Sequence, residues 1–341
     1  MSVWSVLILL LILGFVLSLV PLLVWAERRV SARIQNRLGP NLIGPFGLLQ
    51  PVVDAVKLLT KEEVIPEGAE RGLFRLAPLF ALLPAGLAMA VIPFGHPIRI
   101  GGRIVPLQVA DLNVGILFIL AVSSIGVYAL AFGGWAGNSK YPLLGSMRAA
   151  AQSISYEVAM GLAVVSVVMT AGSVHLGAIV MTQQEAFLGV LPAWNVFTQP
   201  LAALIFLVAA FAENNRLPFD LPEGESELVG GYHTEYSGMK FGVFFLGEYV
   251  AMILMSAALV TLFLGGWGLP GVTDTASYSL LNGLLSVVVF CVKLLAVLFF
   301  YIWVRWTLPR FRYDQLMRLG WKALIPLALA NILLTGFVEL L

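Results

Sequence analysis

Long apolar segments separated by short polar connections run through most of this 341-residue chain. About 20 consecutive apolar residues are enough for a helix to cross the hydrocarbon of a bilayer. Eight segments are candidate spans, the fifth of them short: 3–25, 74–94, 112–134, 150–172, 199–213, 240–265, 284–304 and 323–340. The pattern therefore predicts an all-α polytopic membrane protein, with about eight transmembrane helices in a single transmembrane domain over residues 1–341.

The positions of lysine and arginine predict how these helices are oriented, because cytoplasmic connections are enriched in both residues. Most of the 20 fall in the first, third, fifth and seventh connections. The second connection holds only Arg99 and Arg103, and the fourth and sixth hold none. Both termini are therefore expected on the periplasmic side. The basic residues follow the first apolar run rather than precede it, which favours a retained span over a secretory signal.

One segment of the first cytoplasmic connection is amphipathic rather than apolar. Within it, the spacing of Gln50, Asp54 and Lys57 places their side chains on one face of a helix. We therefore predict an amphipathic helix over 43–61 that lies in the headgroup plane. This helix is either a simple interfacial anchor or one wall of a slot, through which a lipid-soluble molecule passes sideways beside the first span.

The composition supports a membrane protein and argues against a redox centre within the chain. Hydrophobic residues make up 60% of it and charged residues only 11%, whereas soluble proteins carry about 25% charged residues. An iron–sulfur cluster needs about four thiolates, and a haem held by two histidines needs them to face each other. The chain has one cysteine and three histidines. We therefore expect it to bind no metal and no redox cofactor.

A dense group of acidic residues runs from the end of the fifth span into the sixth. Its members are Glu213, Asp220, Glu223, Glu225, Glu227, Glu235 and Glu248. Because carboxylates are costly to bury in a bilayer, a cluster at its boundary needs a reason. The 213–240 connection is either an ordinary solvated cytoplasmic loop or an acidic site for proton or ion chemistry. Apolar and aromatic residues are interleaved with the acids, which favours a packed, partly buried element.

Two further charged residues fall inside predicted spans. Glu157 lies in the fourth span, about 13 Å along it if the helix begins near Arg148. It is either a structural hydrogen-bonding group, with Ser153 one turn before it as a candidate partner, or a functional ionisable group. Lys293 lies in the seventh span and is expected either to pair with a carboxylate or to line a hydrated path.

Five motifs of the chain resemble those of the H-type membrane subunits of proton-pumping NADH:quinone oxidoreductase, respiratory complex I, whose mitochondrial counterpart is NADH dehydrogenase subunit 1. The motifs are ERRVSARIQNRLGPN, GPFGLLQPVVDAVKLLTKE, RAAAQSISYEV, ENNRLPFDLPEGESELVGGYHTEYSGMKF and WVRWTLPRFRYDQLMRLGWK. They are long, and they occur in order from about residue 26 to residue 322.

The resemblance implies a role for the chain within a larger assembly. Such a subunit joins the hydrophilic arm to the membrane arm and forms most of the membrane part of the quinone chamber. Quinone is the substrate, and it is reduced in partner subunits that hold the FMN and the iron–sulfur clusters. The expected partners are those subunits, neighbouring membrane-arm subunits, quinone and membrane lipid, and the expected location is a bacterial inner membrane rather than an organelle.

The resemblance also implies roles for individual residues. The quinone chamber and its access would be formed by Glu27, Arg28, Arg29, Phe46, Gln50, Asp54, Lys57 and Arg216. The proton path would consist of Glu157, Glu213, Asp220, Glu223, Glu225, Glu227, Glu235 and Glu248. Docking of the hydrophilic arm would use Arg305, Arg310, Arg312, Asp314 and Arg318.

The sequence leaves two alternative functions open. A homologous subunit of a membrane-bound hydrogenase or formate hydrogenlyase would share much of this pattern but use no quinone. A stand-alone secondary ion transporter would act without iron–sulfur partners, although the chain shows no internal repeat of the kind common in transporters. The electron donor and the kind of quinone are not determined by these residues.

Overall fold

Helices make up nearly all of the regular structure in a computed structural model that describes residues 3–187, 191–222 and 224–340. The helices are α1 (Val3–Ile34), α2 (Gln50–Thr60), α3 (Arg71–Met89), α4 (Gly115–Ser124), α5 (Gly126–Ala136), α6 (Lys140–Ala171), α7 (Leu176–Thr182), α8 (Asn195–Thr198), α9 (Pro200–Glu213), α10 (Glu225–Leu228), α11 (Gly238–Phe263), α12 (Leu280–Thr307), α13 (Tyr313–Leu319) and α14 (Ile325–Glu339). Two short antiparallel hairpins complete the described structure: β1 (Ile98–Ile100) with β2 (Arg103–Val105), and β3 (Ala186–Phe187) with β4 (Leu191–Pro192).

Seven helical segments of the described chain are long and apolar enough to cross a membrane. Five of these segments are single helices, namely α1, α3, α6, α11 and α12. The other two are formed by α4 with α5 and by α13 with α14. The α13–α14 segment is joined by a π-helical turn at Gly320–Leu324. The all-α membrane class is thus confirmed. The remaining predicted span, the fifth, corresponds to α9, whose 14 residues extend about 21 Å, less than the roughly 30 Å of bilayer hydrocarbon.

Helix α6 begins earlier than the sequence suggests. It starts at Lys140, directly after the extended residue Ser139, rather than near Arg148. The first turns of α6 contain polar side chains, so a search for apolar runs does not include them. They can still belong to a membrane helix, because a long basic side chain can reach water from it. Glu157 therefore lies about 25 Å along the helix, near its middle, and not the 13 Å expected.

Hydrogen bonds show that α9 runs antiparallel to α6. Before the start of α9, the Gln199 side-chain amide donates to the Ser166 carbonyl oxygen at 3.2 Å. Near the end of α9, the Gln152 amide donates to the Ala212 carbonyl oxygen at 2.8 Å. The two ends of α9 therefore lie at different depths along α6.

Helix α11 lies at the centre of the bundle. Every residue from Met252 to Phe263 is buried, and the helix packs against α1, α2, α3, α9 and α12. Its close approach to α3 depends on Gly247, where a Cβ atom would lie 2.9 Å from the Ala81 carbonyl carbon. A larger residue at this position would separate the two helices.

The 214–237 connection is packed into the bundle. Five of its apolar and aromatic side chains are buried: Phe219, Leu221, Leu228, Tyr232 and Tyr236. The connection reaches α6 closely, since a Cβ atom on Gly145 would lie 3.0 Å from Gly231 Cα. It contains helix α10 and a 3₁₀ turn at Gly231–His233. The packed alternative therefore holds, and the freely solvated loop is wrong.

Candidate functional site

A buried carboxylate near the end of α1 brings several distant parts of the chain together. Glu27 accepts hydrogen bonds from Arg305 of α12 and from the Tyr249 hydroxyl of α11. Arg216 Nη1 lies 3.5 Å from the same carboxylate and its guanidinium lies over the Tyr249 ring at 4.5 Å. Two arginines therefore compensate the charge of Glu27. Tyr249 was not identified from the sequence, although it directly follows the acidic residue Glu248.

A second acid–base pair lies next to this cluster. Arg310 Nη2 is 2.9 Å from Asp220 Oδ2, and the other carboxylate oxygen of Asp220 is buried without a hydrogen-bond partner among the described residues. Burial raises the pKa of Asp220 to about 6, and the charge of Glu248 also raises this pKa, whereas Arg310 and Arg305 act in the opposite direction. Asp220 can therefore gain or lose a proton close to neutral pH.

Two cavities meet at Glu248, whose carboxylate accepts a hydrogen bond from the Tyr232 hydroxyl at 2.6 Å. The smaller cavity, of about 250 Å³, is lined by Asn215, Arg216, Leu217, Asp220, Phe245, Glu248 and Arg305. The larger, of about 630 Å³, lies among α3, α4, α5, α6, α9 and α11, and its lining includes Glu248, Tyr232, Ser153 and Glu213. Glu248 and Asn215 line both cavities, so the two cavities adjoin each other between the arginine cluster and the end of α9.

Glu213, which lines the larger cavity, forms with Glu157 a pair of acids that face no cation among the described residues. Glu213 closes α9, and Glu157 on α6 is near enough for the two charges to repel. Each has one buried carboxylate oxygen without a hydrogen-bond partner in the described part of the chain. Ser153, the partner suggested by the sequence for Glu157, lines the cavity instead.

We use the name carboxylate line for the acids that line these cavities, together with one acid paired to lining arginines and one close to Glu213. It consists of Glu27, Asp220, Glu248, Glu213 and Glu157. Gln152 of α6 holds the connection that carries Asp220 in place, by donating to the Asn215 side-chain oxygen at 3.2 Å and the Phe219 carbonyl oxygen at 2.8 Å. A sequence gives no signal for such contacts, which join residues more than 60 positions apart.

Four of the predicted proton-path acids are not placed in this line. Glu227 pairs with Arg148 at 2.6 Å and its side chain is half exposed. Glu235 lies beside Gly137, at the end of α5. Glu223 lies outside the described residues, and so does the side chain of Glu225, whose backbone begins α10.

The predicted chamber residues of the first connection join α1 to α2. Arg28 Nη1 lies 2.5 Å from Asp54 Oδ2, and the Gln50 amide donates to the other oxygen of Asp54 at 3.1 Å. Trp25 and Arg29 both donate to the carbonyl oxygen of Phe46, a residue that is largely exposed. These contacts hold the amphipathic helix against the end of the first span. Lys57 is exposed on the same helix.

The residues predicted for docking divide into two groups. Arg312, Asp314 and Arg318 are exposed, and the first two form a pair at 3.2 Å. Arg305 and Arg310 instead point inward, to Glu27 and Asp220. The sequence did not predict these inward contacts, because both arginines lie in a basic connection and their partners are too distant in sequence to be identified from spacing.

Lys293 does not form the carboxylate pair that was one of its two predicted environments. Its ammonium donates to three backbone carbonyl oxygens in the 264–268 turn, and to no carboxylate among the residues that the structure describes. The described chain also contains no group of three His, Cys, Asp or Glu side chains that could hold a metal ion.

Comparison with known proteins gives close similarity over nearly the whole chain. A sequence model of the family described as NADH dehydrogenase matches residues 6–336. An NADH-quinone oxidoreductase H-type subunit of Geobacter metallireducens, the first of that name, is 56% identical over 97% of this chain and 95% of its own. The second H-type subunit of Geobacter sulfurreducens is 57% identical over 96% of this chain and 94% of its own. The protein named "NADH-quinone oxidoreductase subunit 8" of Rhodothermus marinus is 51% identical over 97% of this chain and 96% of its own.

Proposed function

The chain belongs to the NADH dehydrogenase family, and from this premise we propose that its carboxylate line couples quinone reduction to proton translocation. As a member of the family it is a subunit of NADH-quinone oxidoreductase, a proton-translocating enzyme, and it is not catalytic alone. The partners are the other subunits of that enzyme, among them those that carry FMN and the iron–sulfur clusters, in a bacterial inner membrane.

One observation carries this proposal: buried carboxylates follow one another from a charge-balanced end, past two cavities that Glu248 and Asn215 both line, to an end without cations among the described residues. At the first end Glu27 and Asp220 stand beside arginines. At the other, Glu213 and Glu157 have buried oxygens that no described group satisfies. A purely structural network would be expected to pair its buried charges throughout.

Quinone would reach this space from the bilayer beside α2. The contacts of Arg28 with Asp54 and of Trp25 with Phe46 support such a slot, because they fix α2 against α1. The exposed apolar residues of α2, among them Val53 and Val56, would face the quinone tail. The headgroup would be reduced next to a cluster held by a partner subunit.

Reduction of a quinone consumes two protons and creates transient negative charge. In a poorly solvated chamber such a charge shifts neighbouring protonation equilibria. Asp220, which titrates close to neutral pH, would take up or release a proton in response. Glu248, which lines both cavities, would then transfer this change in protonation to Glu213 and Glu157. From these two acids it would reach the next membrane subunit.

We also propose eight crossings with both termini on the periplasmic side. The antiparallel contacts of Gln199 with Ser166 and of Gln152 with Ala212 support α9 as a short eighth crossing. A helix of this length can cross within a protein because neighbouring helices, rather than lipid, surround its ends.

The function is tested in the purified complex after reconstitution into vesicles. Glu248→Gln and Glu213→Gln should reduce proton pumping per electron strongly while the complex still assembles. The amide introduced by Glu248→Gln can still accept the Tyr232 hydrogen bond, so packing is preserved. Glu62→Gln, an exposed acid on the first connection, is the matched control. Normal pumping by both carboxylate-line variants would refute the proposal.

The names of the relatives favour the quinone enzyme over the alternative functions. All those described above are named as subunits of NADH-quinone oxidoreductase. Quinone-dependent electron transfer by the complex would separate this function from that of a hydrogenase. Co-purification of the chain with iron–sulfur subunits would exclude a stand-alone transporter.

A further inference from the structure

Lys293 of α12 occupies a site built from backbone oxygens. Its ammonium donates to the carbonyl oxygens of Leu264 at 2.6 Å, Gly266 at 3.0 Å and Gly268 at 2.6 Å. The Trp194 ring lies on a further side, with the ammonium 4.3 Å from its centroid. We name these three carbonyls and the ring the carbonyl cage. Carbonyl oxygens and aromatic faces both attract cations.

Other contacts hold the carbonyl cage in place independently of the lysine. The Gln183 side-chain oxygen accepts from Gly265 N at 2.9 Å, and the Gln184 amide donates to Gly265 O at 3.1 Å. Gly265 and Gly266 both have a positive φ, which places the turn in a conformation that other residues rarely adopt. The cage is therefore a preformed site, and α12 supplies its cation.

The cage lies far from the carboxylate line. Leu264 follows α11 and is about 24 Å from the level of Glu248 along that helix. On α12, Lys293 and Arg305 are about 18 Å apart along the axis, and Arg305 contacts Glu27. Two helices thus place the cage beyond these residues, toward the end of the bundle that carries the β1–β2 hairpin.

The charge at this end is not neutralised. All three N–H groups of the Lys293 ammonium are used by neutral carbonyl oxygens, and within the described structure no carboxylate pairs with it. A positive charge in a poorly solvated region repels other cations strongly. Channels that must exclude protons use positive groups in this way.

We propose that the Lys293 ammonium in the carbonyl cage is an electrostatic barrier, which stops protons and other cations leaking from the carboxylate line to the far side of the membrane. The inference rests on the proposed function, because a proton path that opens toward the quinone chamber must be closed at its other end. Without such closure, protons would return through the subunit and dissipate the gradient.

The test measures passive proton leak through the resting complex. The complex with Lys293→Gln is reconstituted into vesicles, and proton influx is driven by a potassium diffusion potential without NADH or quinone. Glutamine keeps a polar amide but carries no charge, so Lys293→Gln removes the charge, and Lys293→Arg restores it. We expect a several-fold faster leak with Lys293→Gln and a leak close to wild type with Lys293→Arg.

A matched control and a second variant complete the experiment. Arg103→Gln removes one exposed positive charge from the β1–β2 hairpin at the same end of the bundle, and should leave the leak unchanged. Val289→Glu keeps Lys293 and adds a carboxylate one turn before it, so it should raise the leak by neutralising the charge.

The outcomes separate this inference from the proposed function. A wild-type leak in assembled complexes carrying Lys293→Gln or Val289→Glu would overturn the barrier, and Val289→Glu decides the matter if Lys293→Gln does not assemble. NADH-driven pumping by Glu248→Gln and Glu213→Gln is measured separately, and normal pumping by both would instead count against the proposed function.

Discussion

At the scale of single residues, the buried carboxylates differ in whether a cation stands beside them. Glu27 has two arginines and Asp220 has one. Glu213 and Glu157 repel each other, and each keeps one buried oxygen without a partner among the described residues. Removing a carboxylate charge should therefore have opposite consequences at the two ends of the line. At Glu27 it takes away the charge that balances two arginines, whereas at Glu213 it relieves repulsion.

Asp220 should titrate near pH 6 in the folded subunit. Burial raises its pKa from an ordinary value of 3.8, so the folded subunit holds this proton more tightly than the unfolded chain. The resulting stability is fully present below pH 3.8 and is lost as the pH rises through about 6. Infrared difference spectra of the complex should show a protonated-carboxyl band that disappears around pH 6 and is missing in Asp220→Asn. A midpoint near pH 4 would contradict this expectation.

Glu27→Gln should destabilise the subunit by about 3 kcal/mol, because it removes the buried carboxylate that balances the charge of two arginines. The measurement is thermal denaturation of the purified complex. Arg28→Gln is the matched control on the adjacent residue, since it breaks the partly exposed pair with Asp54 and should cost less than about 1 kcal/mol. Equal stability of the two variants would show that the charges around Glu27 are compensated in another way.

At the scale of elements, apolar runs and amphipathic spacing predicted most helices, but not where each begins. The polar first turns of α6 hid its start at Lys140, and the brevity of α9 left its crossing undecided. The residues that would form the site were mostly recognised as acids or bases. Their pairings were not, because Glu27 with Arg305 and Asp220 with Arg310 join segments that only the folded bundle brings together.

The exposed apolar face of helix α2 should affect how the complex binds long-tailed quinones. Val56→Asp places a charge on the exposed apolar face that would border the quinone tail. The KM for a long-tailed quinone should rise several-fold with little change in kcat, whereas a short-tailed quinone should react as with the wild type. Thr60→Asp, at the exposed end of the same helix, is the control. An equal rise in KM for both quinones would argue against passage of the tail along α2.

At the scale of the whole molecule, charge separates the two ends of the bundle. The acids and most arginines gather at one end, which also carries α2 and the packed 214–237 connection. The other end holds the β1–β2 hairpin and the carbonyl cage. The distribution of lysine and arginine predicted this asymmetry. It did not reveal the surroundings of Lys293 at the opposite end, because backbone carbonyl oxygens leave no mark in a sequence.

The crossing of α9 is tested by labelling intact cells with a membrane-impermeant maleimide. In a Cys291→Ser background, Glu185→Cys should react from the periplasm, and Thr234→Cys should react only after the cells are opened. Both positions are exposed, and they lie on opposite sides of α9 along the chain. Labelling of both from the same side would reduce the crossings to seven and place the termini on opposite faces.

The contacts of Glu27 also set an order for biogenesis. This carboxylate leaves the ribosome with the first span, but Arg305 follows 278 residues later. At translation rates of about 5–20 residues per second, roughly 15 to 55 s pass between them. During that interval the acid has at most one of its two arginines, Arg216, and otherwise must remain hydrated at the lipid headgroups or be held by an insertion factor. The first helix can thus settle into its final depth only when the α12 span arrives, so a nascent subunit truncated before Arg305 should be a ready target for membrane proteases.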